Sequence, residues 1–204
     1  MAKRPPVYTL AGLKHRFTVY KGHMKSSAAI AIIKKHVPGF SPKTFPPIAD
    51  QVFQSFIDAH RKGDLPSLCN LATEGLHDNV KADVTRMGRK PGSEPKPRAA
   101  FKLLRMMEPT YVLQVRAAME KGSGGKRGWG QMTVQYVTSR EILAVDRRGR
   151  EVQPPPGGNK VVESITMGVL EIFFNDPAHT WRLAMLHEVG ATGPAEARTN
   201  VDKT

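Results

Sequence analysis

Cysteine is nearly missing from this chain. A single residue in 204, Cys69, excludes an internal disulfide framework and any zinc site built from several thiolates. Long apolar runs are missing too. Stretches such as Ala28–Ile33 fall far short of the roughly 18 residues that a membrane span needs. The N-terminus does not read as a secretory signal, because no apolar h-region and cleavage site follow its first basic residues. Acids are almost absent from the first fifty residues, where Asp50 stands alone.

Basic residues are abundant instead. Lys and Arg number 31 against 18 Asp and Glu, a net charge of +13. A surplus of that size favours a polyanionic partner, either nucleic acid or an anionic membrane surface, and says nothing about fold. It is also uneven. Lys3, Arg4, Lys14, Arg16, Lys21, Lys25, Lys34, Lys35 and Lys43 give residues 1–50 a net +8, and the remaining 154 residues carry +5. Six prolines punctuate the same segment, which predicts an extended basic arm over 1–44 that orders against a partner. Tyr8, Phe17, Tyr20 and Phe40 lie among the charges. Cations for phosphates with rings for bases is the combination that RNA binding uses. A mitochondrial transit peptide is the competing reading, since such peptides are basic and poor in acids. Ser26–Val37 is weakly amphipathic, with Ile30, Ile33 and Val37 at helical spacing. A plain solvated tail is the third.

A globular domain is expected over 45–190. Thr44 with Pro46 and Pro47 marks a helix start. Ile48, Val52, Phe53, Phe56 and Ile57 then form one apolar stripe that ends at Gly63. Asp64 is a candidate N-cap for a short second helix holding Leu65, Leu68 and Leu71. Thr73 is placed to start a third, with Leu76, Val80 and Val84 on one face. Gly88–Arg98 is a loop by composition. The period then changes to that of strands, over Thr110–Met119, Gly130–Val145 (with a bend near Ser139), Val161–Asn175 and Trp181–Val189. Phe101–Met107 fits either a short helix or a first strand. Residues 191–204 read as a flexible tail. Helices followed by strands predict an α+β fold: three helices packed on a curved antiparallel sheet of about four strands.

Catalytic signals are thin. Seven histidines form no H-E-x-x-H pair and no zinc spacing with Cys69, which is expected to be a buried structural thiol in the second helix. Gly122–Gly130 lacks the order of a phosphate loop and reads as a hairpin tip whose Lys126 and Arg127 reach RNA phosphates. Arg89 and Lys90 supply a second basic loop. Glu141, Asp146, Glu163 and Glu171 are expected to be solvated or ion-paired strand positions, and Trp181 to close the core. No enzyme activity, no cofactor, no metal and no small-molecule substrate are expected.

Three features together resemble the Tim forty-four-like domain family. They are Val52–Leu71, with Ala59, Gly63, Asp64, Leu65, Leu68, Leu71 and the following Thr73; the strand Glu108–Arg116; and the closing Trp181-Arg182-Leu183. The resemblance covers residues 45–190. The basic arm favours the family's ribosomal branch over its import-motor branch, which carries a long regulatory region before the domain. The resemblance implies a cystatin or nuclear-transport-factor-two-like domain in the mitochondrial large ribosomal subunit. Such a protein is a structural component that lies near the tunnel exit, binds ribosomal RNA and neighbouring subunit proteins, and tethers the ribosome to the inner membrane and its insertase. Its place would be the matrix, peripheral to that membrane. The alternatives are a peripheral import or assembly factor of the same family, and a small-molecule enzyme on a related cone-shaped fold.

Overall fold

The computed structural model describes residues 25–85, 98–125, 127–146, 149–152 and 160–192. The first described segment is already helical. Residues 25–36 form α1, rich in Ala and Ile, and it ends where Pro38 and the left-handed Gly39 (φ 73°) stop the ladder. Ala29, Ile33 and Val37 recur every four residues and are buried, Ile33 completely. Phe40 follows them into the core. The extended arm expected over 1–44 therefore does not reach residue 44. Its last part is a core helix, because the apolar spacing within Ser26–Val37 finds a surface to cover. Residues 1–24 lie outside the described residues.

The second helix, α2 (Phe45–Lys62), starts at Thr44 with proline in its first turn and ends at Gly63 (φ 70°). Its buried face is Phe45, Ala49, Phe53, Phe56, Ile57 and Ala59. The expected stripe is thus slightly displaced: Ile48 is 41% exposed and Ala49 takes the inward position. Asp64 caps α3 (Leu65–Leu71), accepting hydrogen bonds from Ser67 N at 3.2 Å and Ser67 Oγ at 2.6 Å. The fourth helix, α4 (Glu74–Thr85), buries no residue fully, and Leu76 and Val80 pack against the core.

Five antiparallel strands follow: β1 (Arg98–Met106), β2 (Tyr111–Met119), β3 (Gly128–Val145), β4 (Lys160–Phe173) and β5 (Arg182–Thr192). The fold is α+β, with one helix and one strand more than the sequence pattern predicts. The ambiguous Phe101–Met107 resolves as strand because β3 is long enough to pair with two partners. Its residues 128–135 take β2, and 138–145 take β1, end to end along one side. The change of partner falls beside the bend expected near Ser139. The other side of β3 pairs with β4, and β4 with β5. The expected tail starts too early, since residues 191–192 still pair with β4, opposite Ser164 and Glu163.

The helices cover one face of the sheet. Tyr136 on β3 is fully buried, stacks on Phe53 (centroids 4.2 Å, 14°), and donates its hydroxyl to Ala49 O of α2 at 3.1 Å. Trp181 meets Phe45 edge to face at 4.7 Å and closes the core as expected. The α3–α4 junction leans on the sheet margin, where Thr73 N donates to Leu183 O at 2.9 Å. Helix α1 is seated at Gly130. A Cβ there would lie 2.8 Å from Ile33 Cγ1, so only glycine allows the approach.

Candidate nucleic-acid interface

Helix α1 has two characters. Its core face is apolar, and its remaining surface is cationic, with Lys25, Lys34 and Lys35 exposed and Lys43 exposed on the turn that follows. Burial of the Ala29–Ile33–Val37 row is what points the lysines outward, so packing and charge display come from one periodicity. Lys25, Ala28, Ile32 and Lys35, spaced three, four and three apart, share one flank.

That flank faces β2 across a groove of about 480 Å³. Lys25, Ala28, Ala29 and Ile32 form one wall, and Gln114–Ala117 with Trp129 form the other. Arg116 is exposed and Trp129 half-buried. No acidic residue lines the groove.

Strands β2 and β3 continue into a hairpin closed by Glu120 N to Arg127 O at 2.9 Å. Ser123 Oγ donates to Glu120 O at 2.8 Å and accepts from Arg127 N at 3.3 Å, which pins the turn from inside. Gly122, Gly124 and Gly125 all adopt positive φ, a conformation other residues rarely take. The exposed cations at the tip are Lys121 and Arg127.

Among the residues expected to bind RNA, the structure brings Lys25, Lys34 and Lys35 onto one helix, with Lys43 just beyond it and Arg127 on the hairpin tip. Lys3, Arg4, Lys14, Arg16, Lys21, Arg89, Lys90 and Lys126 lie outside the described residues. Sequence reasoning missed Arg116, Lys121 and Trp129. Only strand pairing sets a residue of β2 beside a helix some 85 positions earlier in the chain.

The carboxylates hold structural partners. Asp146 Oδ2 accepts from Arg150 Nε at 2.8 Å, Glu141 is 3.8 Å from Lys102 Nζ, and Glu171 accepts from Gln131 at 2.8 Å. Among the described residues no group of three or more His, Cys, Asp or Glu is placed to hold a metal. Cys69 is exposed, which corrects its expected burial. The seven-residue α3 turns Leu68 alone fully inward, and its neighbour Cys69 points out.

The largest buried polar group is Arg140, on the helix-facing side of β3 and 4% exposed. Its Nη2 donates to Ser164 Oγ and to Thr166 Oγ1 (3.0 Å), reaches Glu188 at 3.4 Å, and the guanidinium lies 5.1 Å over Phe101. Burial lowers its pKa, and Glu188 opposes the shift. Burial, followed by the charge of Asp50, raises that of Tyr136. Both groups are occupied in holding strands to their neighbours.

The site is a cationic surface on an α+β domain. No family model matches the chain. It is similar to the large ribosomal subunit protein mL45 of Xenopus laevis, at 27% identity over 176 residues, 84% of this chain and 51% of that protein. It is likewise similar to mL45 of Bos taurus, at 28% over 142 residues, 68% of this chain and 42% of that protein. The chain thus spans about half the length of the curated relatives it matches. A solved nuclear transport factor 2 (NTF2-like) superfamily protein of Salmonella enterica covers 80% of this chain at 10% identity, with a TM-score of 0.35. Among the described residues, no helix is long and apolar enough to cross a membrane.

Proposed function

We propose that this chain is a structural component of the mitochondrial large ribosomal subunit, held to ribosomal RNA by the cations of its N-terminal quarter. The observation that carries the reading is the net +8 of residues 1–50, part of which α1 displays as exposed lysines beside a folded core. The similarity to mL45 supports the ribosomal setting, the mitochondrial matrix as its place and a structural rather than catalytic role. Attachment by such cations releases counterions from phosphates and weakens steeply with salt.

Tethering to the inner membrane belongs to the same proposal. Its support is the sheet face opposite the helices. Val161, Ile165 and Phe173 of β4 and Met185 of β5 stand there 40–57% exposed, a run of apolar surface available to a membrane or a neighbouring subunit protein.

Sedimentation of the protein from detergent-solubilised mitochondria across a salt series tests the reading. Co-migration with the large subunit, lost progressively as salt rises, is the expected result. Reversing Lys25, Lys34, Lys35 and Lys43 to Glu should release the protein at lower salt. Migration in light fractions at every salt concentration would refute the ribosomal reading and favour a free import or assembly factor.

A further inference from the structure

The geometry points to the groove between α1 and β2 as a site for unpaired RNA, with Lys25 and Arg116 taking phosphates and Trp129 taking a base. The inference deepens the ribosomal reading and rests on it. Three features of the groove support it together. Cations stand on both walls and no acid lines it, so the local field favours a polyanion. Ala28, Ala29, Ile32, Val115 and Ala117 give the groove apolar surface, which suits the faces of bases rather than phosphates. Trp129 is half-buried, held by the ladder yet reachable.

Size selects the form of RNA. At about 480 Å³ the groove matches pockets that enclose one small organic molecule, so about one or two unpaired nucleotides fit and a duplex does not. An acidic peptide would satisfy the cations but would leave the ring and the apolar walls without a matching partner. The neighbouring hairpin extends the cationic surface through Lys121 and Arg127.

Trp129 also provides the test. The chain has two tryptophans, and Trp181 is 6% exposed in the core. Quenching of tryptophan fluorescence therefore reports on the groove. The full chain is titrated with a single-stranded RNA oligonucleotide, with its duplex and with a polyglutamate peptide. Single-stranded RNA is expected to quench and to bind more tightly than the duplex. Trp129→Phe is expected to weaken binding by about 5- to 150-fold, the range that loss of one stacked base spans. Lys25→Ala with Arg116→Ala, both at exposed positions, is expected to leave the fold intact, weaken binding at least about tenfold and flatten its salt dependence.

Unchanged RNA affinity in both variants, equal affinity for duplex, or equal quenching by polyglutamate would overturn the groove assignment. The sedimentation experiment separates that failure from a wider one. Variants that lose groove binding but still co-sediment in a salt-sensitive way leave the ribosomal reading intact. A wild-type chain that neither binds RNA nor co-sediments removes both.

Discussion

Gly168 shows how tightly single positions are constrained. A Cβ there would lie 2.7 Å from Tyr136 Cε2 and 3.5 Å from Val134 Cγ2. The Tyr136 ring cannot retreat, since it stacks on Phe53 and its hydroxyl is tied to Ala49 O. Gly168→Ala should therefore destabilise the protein by about 1–3 kcal/mol in urea unfolding, as overpacked cores do. A midpoint that does not move would mean that β4 shifts freely under Tyr136. Asp64 makes a prediction about pH. The hydroxyl and backbone N–H of Ser67 hold its pKa below 3.8 in the folded chain. A group whose pKa is depressed on folding stabilises the fold above its unfolded value, and that stability is lost as pH falls through the folded value. Asp64→Ala should thus be less stable than wild type at neutral pH, and the gap should close as pH drops below 3.8. A gap that persists at acid pH would assign the effect to packing rather than to the cap.

At the scale of elements, α1 decides where the domain begins. Its Ile33 is fully buried against Gly130 and Ile172, while its neighbour Lys34 is exposed. Ile33→Ala should cost about 2–5 kcal/mol, and Lys34→Ala should stay within about 0.5 kcal/mol. Thermal unfolding measures both. Equal and small effects would return α1 to the status of a detachable arm. The strands are positioned by the same logic. The long β3 holds β1 and β2 in line because its buried side chains continue from Gly130 to Arg140 without a break in alternation. The partner strands meet it through register shifts, at Leu103/Arg105 in β1 and Val112/Gln114 in β2. Such bulges bend a strand and re-aim its side chains.

Charge acts at the scale of the whole molecule. The net +13 has no bearing on which strands pair, but it sets how the protein meets a polyanion. Each lysine of α1 that neutralises an RNA phosphate adds about 0.7–0.9 to the slope of log affinity against log salt. The fourfold charge reversal should therefore flatten the salt dependence of attachment as well as weaken it. A uniform loss with unchanged slope would point to a structural defect instead. The two faces of the sheet divide the remaining work. The helix-facing side is a packed core, and the opposite side leaves Val161, Ile165, Phe173 and Met185 to a neighbour.

The sequence by itself determined the α+β class, α2 with its proline start, the Asp64 cap, four of the five strands and the basic bias of the first fifty residues. Each rests on local chemistry: apolar period, turn residues, a carboxylate three positions before its donor. Tertiary structure alone decided the rest. The Ala29–Ile33–Val37 period belongs equally to a solvated amphipathic helix and to a core helix, and only the surface at Gly130 selects the second. Phe101–Met107 carries no decisive period, and becomes a strand because the far half of β3 lacks a partner on that side. Cys69 sits in an apolar run, yet a helix of seven residues has one inward position and Leu68 takes it. The groove joins Lys25 to Arg116 and Trp129 across some ninety residues of chain, a proximity that no local pattern encodes.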